Sequence, residues 1–142
     1  MKNFLALIII CLVSSSSFSQ NIEWEKDYPT ALKKAQERKK VLIIYFNDRT
    51  NASMERLIKK EIFKSKAFKD ISKNSTGLLI ESPDNTEKYK FNSRVTSGHN
   101  PDKIFPSIKV INYKTNTRLP LLKEFKPSDI EGFLTQLKKL QK

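Results

Sequence analysis

The sequence predicts an α/β domain: a mixed central sheet of about four strands, sandwiched by helices in three layers. Three observations carry that prediction. Val41–Phe46 is an unbroken apolar run rich in β-branched and aromatic residues, which suits a central strand covered on both faces. A polar turn follows, then Met54, Leu57, Ile58 and Ile62 at helical spacing, then a second short apolar run within Thr76–Glu81. Strand, helix, strand in this order is what a parallel crossover requires. Finally, Ile108–Tyr113 and Leu119–Phe125 are separated by so few residues, Lys114–Thr117 among them, that only an antiparallel hairpin can join them.

The remaining elements fall into place around these strands. Residues 21–27 form a lead-in with Ile22 and Trp24 as anchors. Pro29 is tolerated in a first helical turn, because its missing N–H has no intrahelical partner there. Ala31, Leu32 and Ala35 then share one face of a short helix reaching about Lys39. Asn51 is placed to cap the helix after the central strand, and Glu55 in its first turn suits the positive end of the dipole. Phe63, Phe68 and Ile71 continue that helical pattern. A short helix is expected over 85–94, followed by a loop holding Gly98 and Pro101. At the C-terminus, Ser128 and Glu131 stand in capping-box spacing after Pro127, and Ile130, Phe133, Leu134 and Leu137 mark one face of a final helix. No internal repeat or linker divides the chain, which is expected to hold one domain over residues 20–142.

The N-terminus reads as an export signal. Lys2 precedes an apolar stretch at 4–13, and the small, polar stretch 14–20 supplies a cleavage point after Ser19. About ten apolar residues fall short of the roughly 20 that span a bilayer, so no transmembrane segment is expected after cleavage. Cys11 follows the bulky Ile10, which disfavours a lipoprotein. It is also the chain's one cysteine, so the exported protein would contain no thiol, no disulfide and no cysteine metal site. Lys and Arg outside the leader number 26 (27 less Lys2) against 15 Asp and Glu, a net +11. This balance keeps an acidic surface open as a partner, while export to the periplasm or beyond makes nucleic acid an unexpected one.

The turn after the central strand carries Asp48, Arg49, Thr50, Asn51, Ala52 and Ser53, with no Cys, His or Gly-rich cradle. Hydrolytic chemistry at Ser53 would need a base, and the chain's one histidine, His99, lies in the expected loop before Pro106. An enzyme built from Ser53, His99 and Asp48 therefore stands as an alternative whose test is whether the three converge. One histidine and scattered carboxylates match no metal-ligand spacing, so neither metal nor cofactor is expected.

Several segments together resemble the thioredoxin-like superfamily, and in particular exported bacterial thioredoxin-family proteins. They are WEKDYPTALKKAQERKKVLIIYF, the Glu61-Ile62-Phe63 that ends the next helix, IFPSIKVIN, and the tail KEFKPSDIEGFLTQLKKL. Aligned without a gap between Phe46 and Glu61, the resemblance places the family's Cys-x-x-Cys at Ala52-Ser53-Met54-Glu55, with Asn51 where a Trp often stands. It implies that Pro106 is the cis-proline beside the redox turn and that the Phe105 backbone pairs with a bound peptide. Both cysteines are missing, and SGHNPDKIF before Pro106 is longer and more polar than the family's usual approach. Dithiol exchange needs a thiolate to attack a disulfide sulfur, so disulfide oxidoreductase activity is not expected. The expectation is a redox-inactive module of the cell envelope. It would hold a peptide or protein partner at Asn51, Phe105 and Pro106, with Met54 and Ile104 adding apolar contact.

Overall fold

The computed structural model describes residues 22–38, 40–82 and 89–142. Five strands form one sheet in the order β1-β3-β2-β4-β5. They are β1 (Trp24–Glu25), β2 (Val41–Asp48), β3 (Ser75–Ser82), β4 (Ser107–Asn112) and β5 (Thr117–Arg118). β2 lies at the centre, parallel to β3 and antiparallel to β4, and β1 joins the far edge of β3 in parallel. The sheet thus holds one strand more than expected, because the lead-in at Trp24 and Glu25 pairs with Gly77 and Leu78.

The unbroken apolar run of β2 is explained by its two covered faces. Val41, Ile43 and Tyr45 point into a core shared with Ile58, Ile62, Phe68, Ile71, Ile130, Phe133 and Leu137. These belong to α2 (Ala52–Ile58), a π-helical turn at Lys59–Phe63, α3 (Lys66–Ser72) and α5 (Pro127–Lys139). Leu42, Ile44 and Phe46 point the other way, onto Ala31 and Ala35 of α1 (Tyr28–Glu37) and Val95 of α4 (Asn92–His99). Period-two alternation along a single strand therefore serves both layers.

Four local expectations are corrected. The pattern from Met54 to Ile71 is not one helix. It widens into the π turn, where Lys64 N–H reaches the Lys59 carbonyl (3.1 Å), and restarts at Ser65, whose Oγ accepts from Phe68 N–H (3.2 Å). The extra residue in the wide turn lets Ile62 stay in the core while Phe63 packs against Trp24, Tyr45 and Phe68, at ring separations of 5.5, 5.1 and 4.8 Å. The strand expected over 119–125 is reduced to two residues at 117–118 and a bridge between Ile108 and Leu122, because Pro120 has no N–H for the ladder. The final helix starts two residues earlier than the spacing of Ser128 and Glu131 implies. Lys126 is its N-cap, and Asp129 rather than Glu131 accepts from the N-cap N–H (3.1 Å). Of the helix expected over 85–94, residues 85–88 lie outside the described residues, and α4 begins at Asn92 and runs on to His99. The export signal expected at 1–19, with Cys11, also lies outside them. No helix among the described residues is long and apolar enough to cross a membrane.

Gly77 shows how tightly β1 is laid on the sheet. A Cβ there would sit 2.6 Å from Cε3 of Trp24 and 3.0 Å from the Glu23 carbonyl oxygen, to which Gly77 N–H donates (3.2 Å). Gly77→Ala is expected to push the indole out of its aromatic cluster and to cost about 1–3 kcal/mol. Trp24 is the chain's one tryptophan, so a red-shifted emission and a lower urea midpoint would report the displacement directly.

Candidate functional site at the C-terminal end of the central strand

β2 and β3 run parallel with Asp48 level with Ser82, so their C-terminal ends share one end of the sheet. β4 runs the other way and enters at that end, with Ser107 opposite Phe46. Pro106 immediately precedes Ser107 and so lies beside the end of β2. The helix α2 starts four residues after β2 ends. Strand registers alone thus bring the polar turn at 49–51 and the Phe105–Pro106 segment to the same edge.

The turn is held by its own side chains. Asp48 accepts from the Thr50 hydroxyl (2.6 Å) and N–H (2.9 Å), and these two bonds hold its carboxyl below the usual carboxylate value. Asn51 caps α2 as the sequence suggests, accepting from Met54 N–H (3.1 Å). Arg49 pairs with Glu81 across the ends of β2 and β3. Ser53 accepts from Arg56 (3.4 Å), and Glu55 accepts from Lys59 (2.6 Å). Ala52 and Ser53 are exposed, while Met54 packs against the core beside α2.

The facing segment is built differently. The Phe105–Pro106 peptide is cis, and the Phe105 ring meets Phe46 edge-on at 5.7 Å. Asn100, fully buried, donates through Nδ2 to the Ile104 carbonyl (2.8 Å) and to Ser107 Oγ (3.3 Å), and accepts from Ile104 N–H at Oδ1 (2.9 Å). Ser107 Oγ also donates to the Ile104 carbonyl (2.8 Å). This network fixes the loop on either side of Phe105 and leaves the Phe105 main-chain N–H and C=O without a hydrogen-bond partner among the described residues. Between turn and loop lies Asn47, buried, whose Oδ1 accepts from the Tyr45 hydroxyl (2.8 Å). Burial raises the Tyr45 phenol well above its ordinary value, and the negative charges of Glu55, Asp48 and Glu81 add to the rise.

Ser53, His99 and Asp48 do not form a hydrogen-bonded constellation. Asp48 is engaged by Thr50, Ser53 by Arg56, and His99 is the half-buried last residue of α4 rather than a loop residue. It lines a separate cavity with Lys109 and Arg118. No cluster of three or more His, Cys, Asp or Glu side chains suited to a metal occurs among the described residues. Sequence reasoning missed Asn47, Asn100 and Ser107. The signals were an Asn directly ending an apolar strand and the Asn-Pro pair at 100–101, which marks a turn without showing that the Asn side chain is buried.

A five-stranded mixed sheet between helical layers, with a cis-proline entering beside the first strand-to-helix turn, defines the thioredoxin-like fold, and this chain has it. It is similar in structure to a thioredoxin from Thermus thermophilus, with a TM-score of 0.59 at 14% identity over 85% of this chain and 88% of that one. A DsbH oxidoreductase gives 0.59 at 18% identity over 84% and 86%. A disulphide isomerase from Xylella fastidiosa gives 0.52 at 14% over 77% and 86%. The chain matches no family model and no curated protein.

Proposed function

We propose that this protein is an exported, redox-inactive binding module. After loss of residues 1–19, the domain at 20–142 holds an extended peptide or protein segment between Asn51–Glu55 and Phe105–Pro106. The observation that carries this reading is the free main-chain N–H and C=O of Phe105 at the leading edge of β4, in a loop that buried Asn100 holds rigid. Such a pair adds one strand-like rung to an extended ligand, and nearby side chains supply specificity. The positions that the resemblance assigns to the redox pair hold Ala52 and Glu55, neither of which can attack or resolve a disulfide.

Two measurements test the reading. In an insulin-reduction assay with dithiothreitol, the protein should add nothing to the reductant's own rate. A photoreactive side chain at position 53, installed in exporting cells, should capture one recurrent partner. Capture should fall at least tenfold in Phe105→Ala and persist in high salt, since main-chain hydrogen bonds and apolar contacts with the Phe105 ring carry no net charge to be screened. Diffuse capture that Phe105→Ala leaves unchanged would overturn the proposal.

A further inference from the structure

We propose that the cavity between the end of α4 and the β4–β5 hairpin binds a small organic phosphate. Its anionic head would lie among Lys109, Arg118 and Lys123, and its apolar body against Pro101, Pro120 and Leu121. The cavity encloses about 470 Å³ and shares no lining residue with the turn at 51–55 or with Phe105–Pro106. Its volume falls in the range of small-molecule sites.

The argument rests on convergent, unneutralised positive charge. Ile111 pairs with Arg118 across the hairpin, so Arg118 shares a sheet face with Ile111 and with Lys109 two residues earlier in β4. Lys109 is half-buried, and its ammonium is fixed by donation to the Leu119 carbonyl (2.6 Å). That bond positions the charge without cancelling it. Among the described residues, none of Lys109, Arg118 and Lys123 forms an ion pair, although this chain pairs many of its other lysines. Asp102 is the one carboxylate on the wall and makes no salt bridge with them. Charges gathered on a partly buried surface repel unless an anion joins them. The same field reaches His99. Burial lowers its imidazole pKa, and the nearby Lys109 and Arg118 lower it further, so the ring stands neutral at pH 7 as a hydrogen-bond partner. Arg118 likewise adds to the effect of burial in lowering Lys109. Guanidinium and ammonium groups around a tetrahedral oxyanion supply charge-assisted bonds, and the two prolines and Leu121 favour an organic substituent over free phosphate.

The test is titration of the purified protein with phenyl phosphate, followed by NMR at the imidazole of His99, which is the chain's one histidine. A saturable shift is expected, with a rise in the His99 pKa, because a bound negative charge favours the imidazolium. Inorganic phosphate should compete more weakly. Arg118→Gln combined with Lys123→Gln, both at exposed side chains, should keep the folded spectrum and weaken binding at least tenfold. Absence of a saturable shift would overturn the proposal, as would equal binding by the double variant or the same shift with sodium chloride at matched ionic strength. Binding to phosphatidylglycerol vesicles but not to phenyl phosphate would also overturn it, and would assign these charges to a lipid surface.

Discussion

Asn100→Ala is expected to lower stability by about 3 kcal/mol, a fall of the melting midpoint on the order of 10 °C, and to abolish partner capture from position 53. Asn100 is completely buried, and three of its hydrogen bonds go to the loop that it encloses. Alanine takes the acceptor from Ile104 N–H and leaves the Ile104 carbonyl with Ser107 Oγ as its remaining side-chain donor. An N–H left unsatisfied in this partly buried loop costs about 1–3 kcal/mol, and the lost bonds to the Ile104 carbonyl and Ser107 Oγ add to it. Ser107→Ala is the informative companion. It removes the second donor to the Ile104 carbonyl but leaves both Asn100–Ile104 bonds in place, so about 1 kcal/mol is expected. The two residues share one network, and their effects should not add in the double variant. Differential scanning calorimetry on the four proteins closes the cycle. Wild-type stability in Asn100→Ala would show that the network does not hold the loop, and the case for a rigid edge at Phe105 would fall with it.

The dependence on Asn100 also explains what the sequence did and did not disclose. β2 was legible because burial on two faces needs six apolar residues in a row, and no helix or one-sided strand would keep Tyr45 and Phe46 together at its end. The cap at Asn51 was legible because capping is local chemistry between a side chain and an N–H three residues on. The loop from 100 to 107 was not. Its order comes from side-chain bonds to main-chain groups and from Lys103, which takes a positive φ of 50° that its residue type does not advertise. The π turn was missed for a related reason: the apolar spacing around Ile58, Ile62 and Phe63 reads as an ordinary helix, and only packing against Trp24 shows why Phe63 is turned toward the sheet edge. β1 was missed because a two-residue strand has no period.

Net charge proved a poor guide to the candidate sites. The chain as a whole carries +12, yet the end of the sheet beside Asn51 and Pro106 gathers Asp48, Glu55 and Glu81 around buried Tyr45. Arg49 and Lys59 each pair with one of these carboxylates. Unpaired cations collect instead around His99. Diffuse attachment to acidic surfaces would not distinguish these two places. A peptide at one and a phosphate at the other would, with low salt sensitivity at the first and high sensitivity at the second.

If the turn keeps the geometry of a redox site and lacks only its sulfurs, two substitutions should restore the chemistry. In Ala52→Cys/Glu55→Cys, the thiols stand at the first and fourth positions of α2, on one face of the helix. Cα atoms three apart on a helix lie within the span that a disulfide bridges. The first-turn N–H groups of Ala52 and Ser53 have no intrahelical acceptor, and the positive end of the helix favours a thiolate, so the thiol at position 52 should titrate below the ordinary value of about 8.5. Loss of Glu55 removes a carboxylate that opposes that thiolate and breaks the exposed pair with Lys59, at a cost of at most about 1 kcal/mol. The double variant, purified without residues 1–19 and so without Cys11, is therefore expected to oxidise to an intramolecular disulfide and to accelerate insulin reduction over the wild-type baseline. Either cysteine alone should do neither, because a lone thiol forms a mixed disulfide that nothing resolves. Thiolate absorbance across pH gives the pKa, and mass change after alkylation gives the disulfide. A thiol at position 52 that titrates like a free cysteine, with no internal disulfide, would mean that this turn has lost the geometry as well as the sulfur, and that any partner it holds is recognised by surfaces of its own.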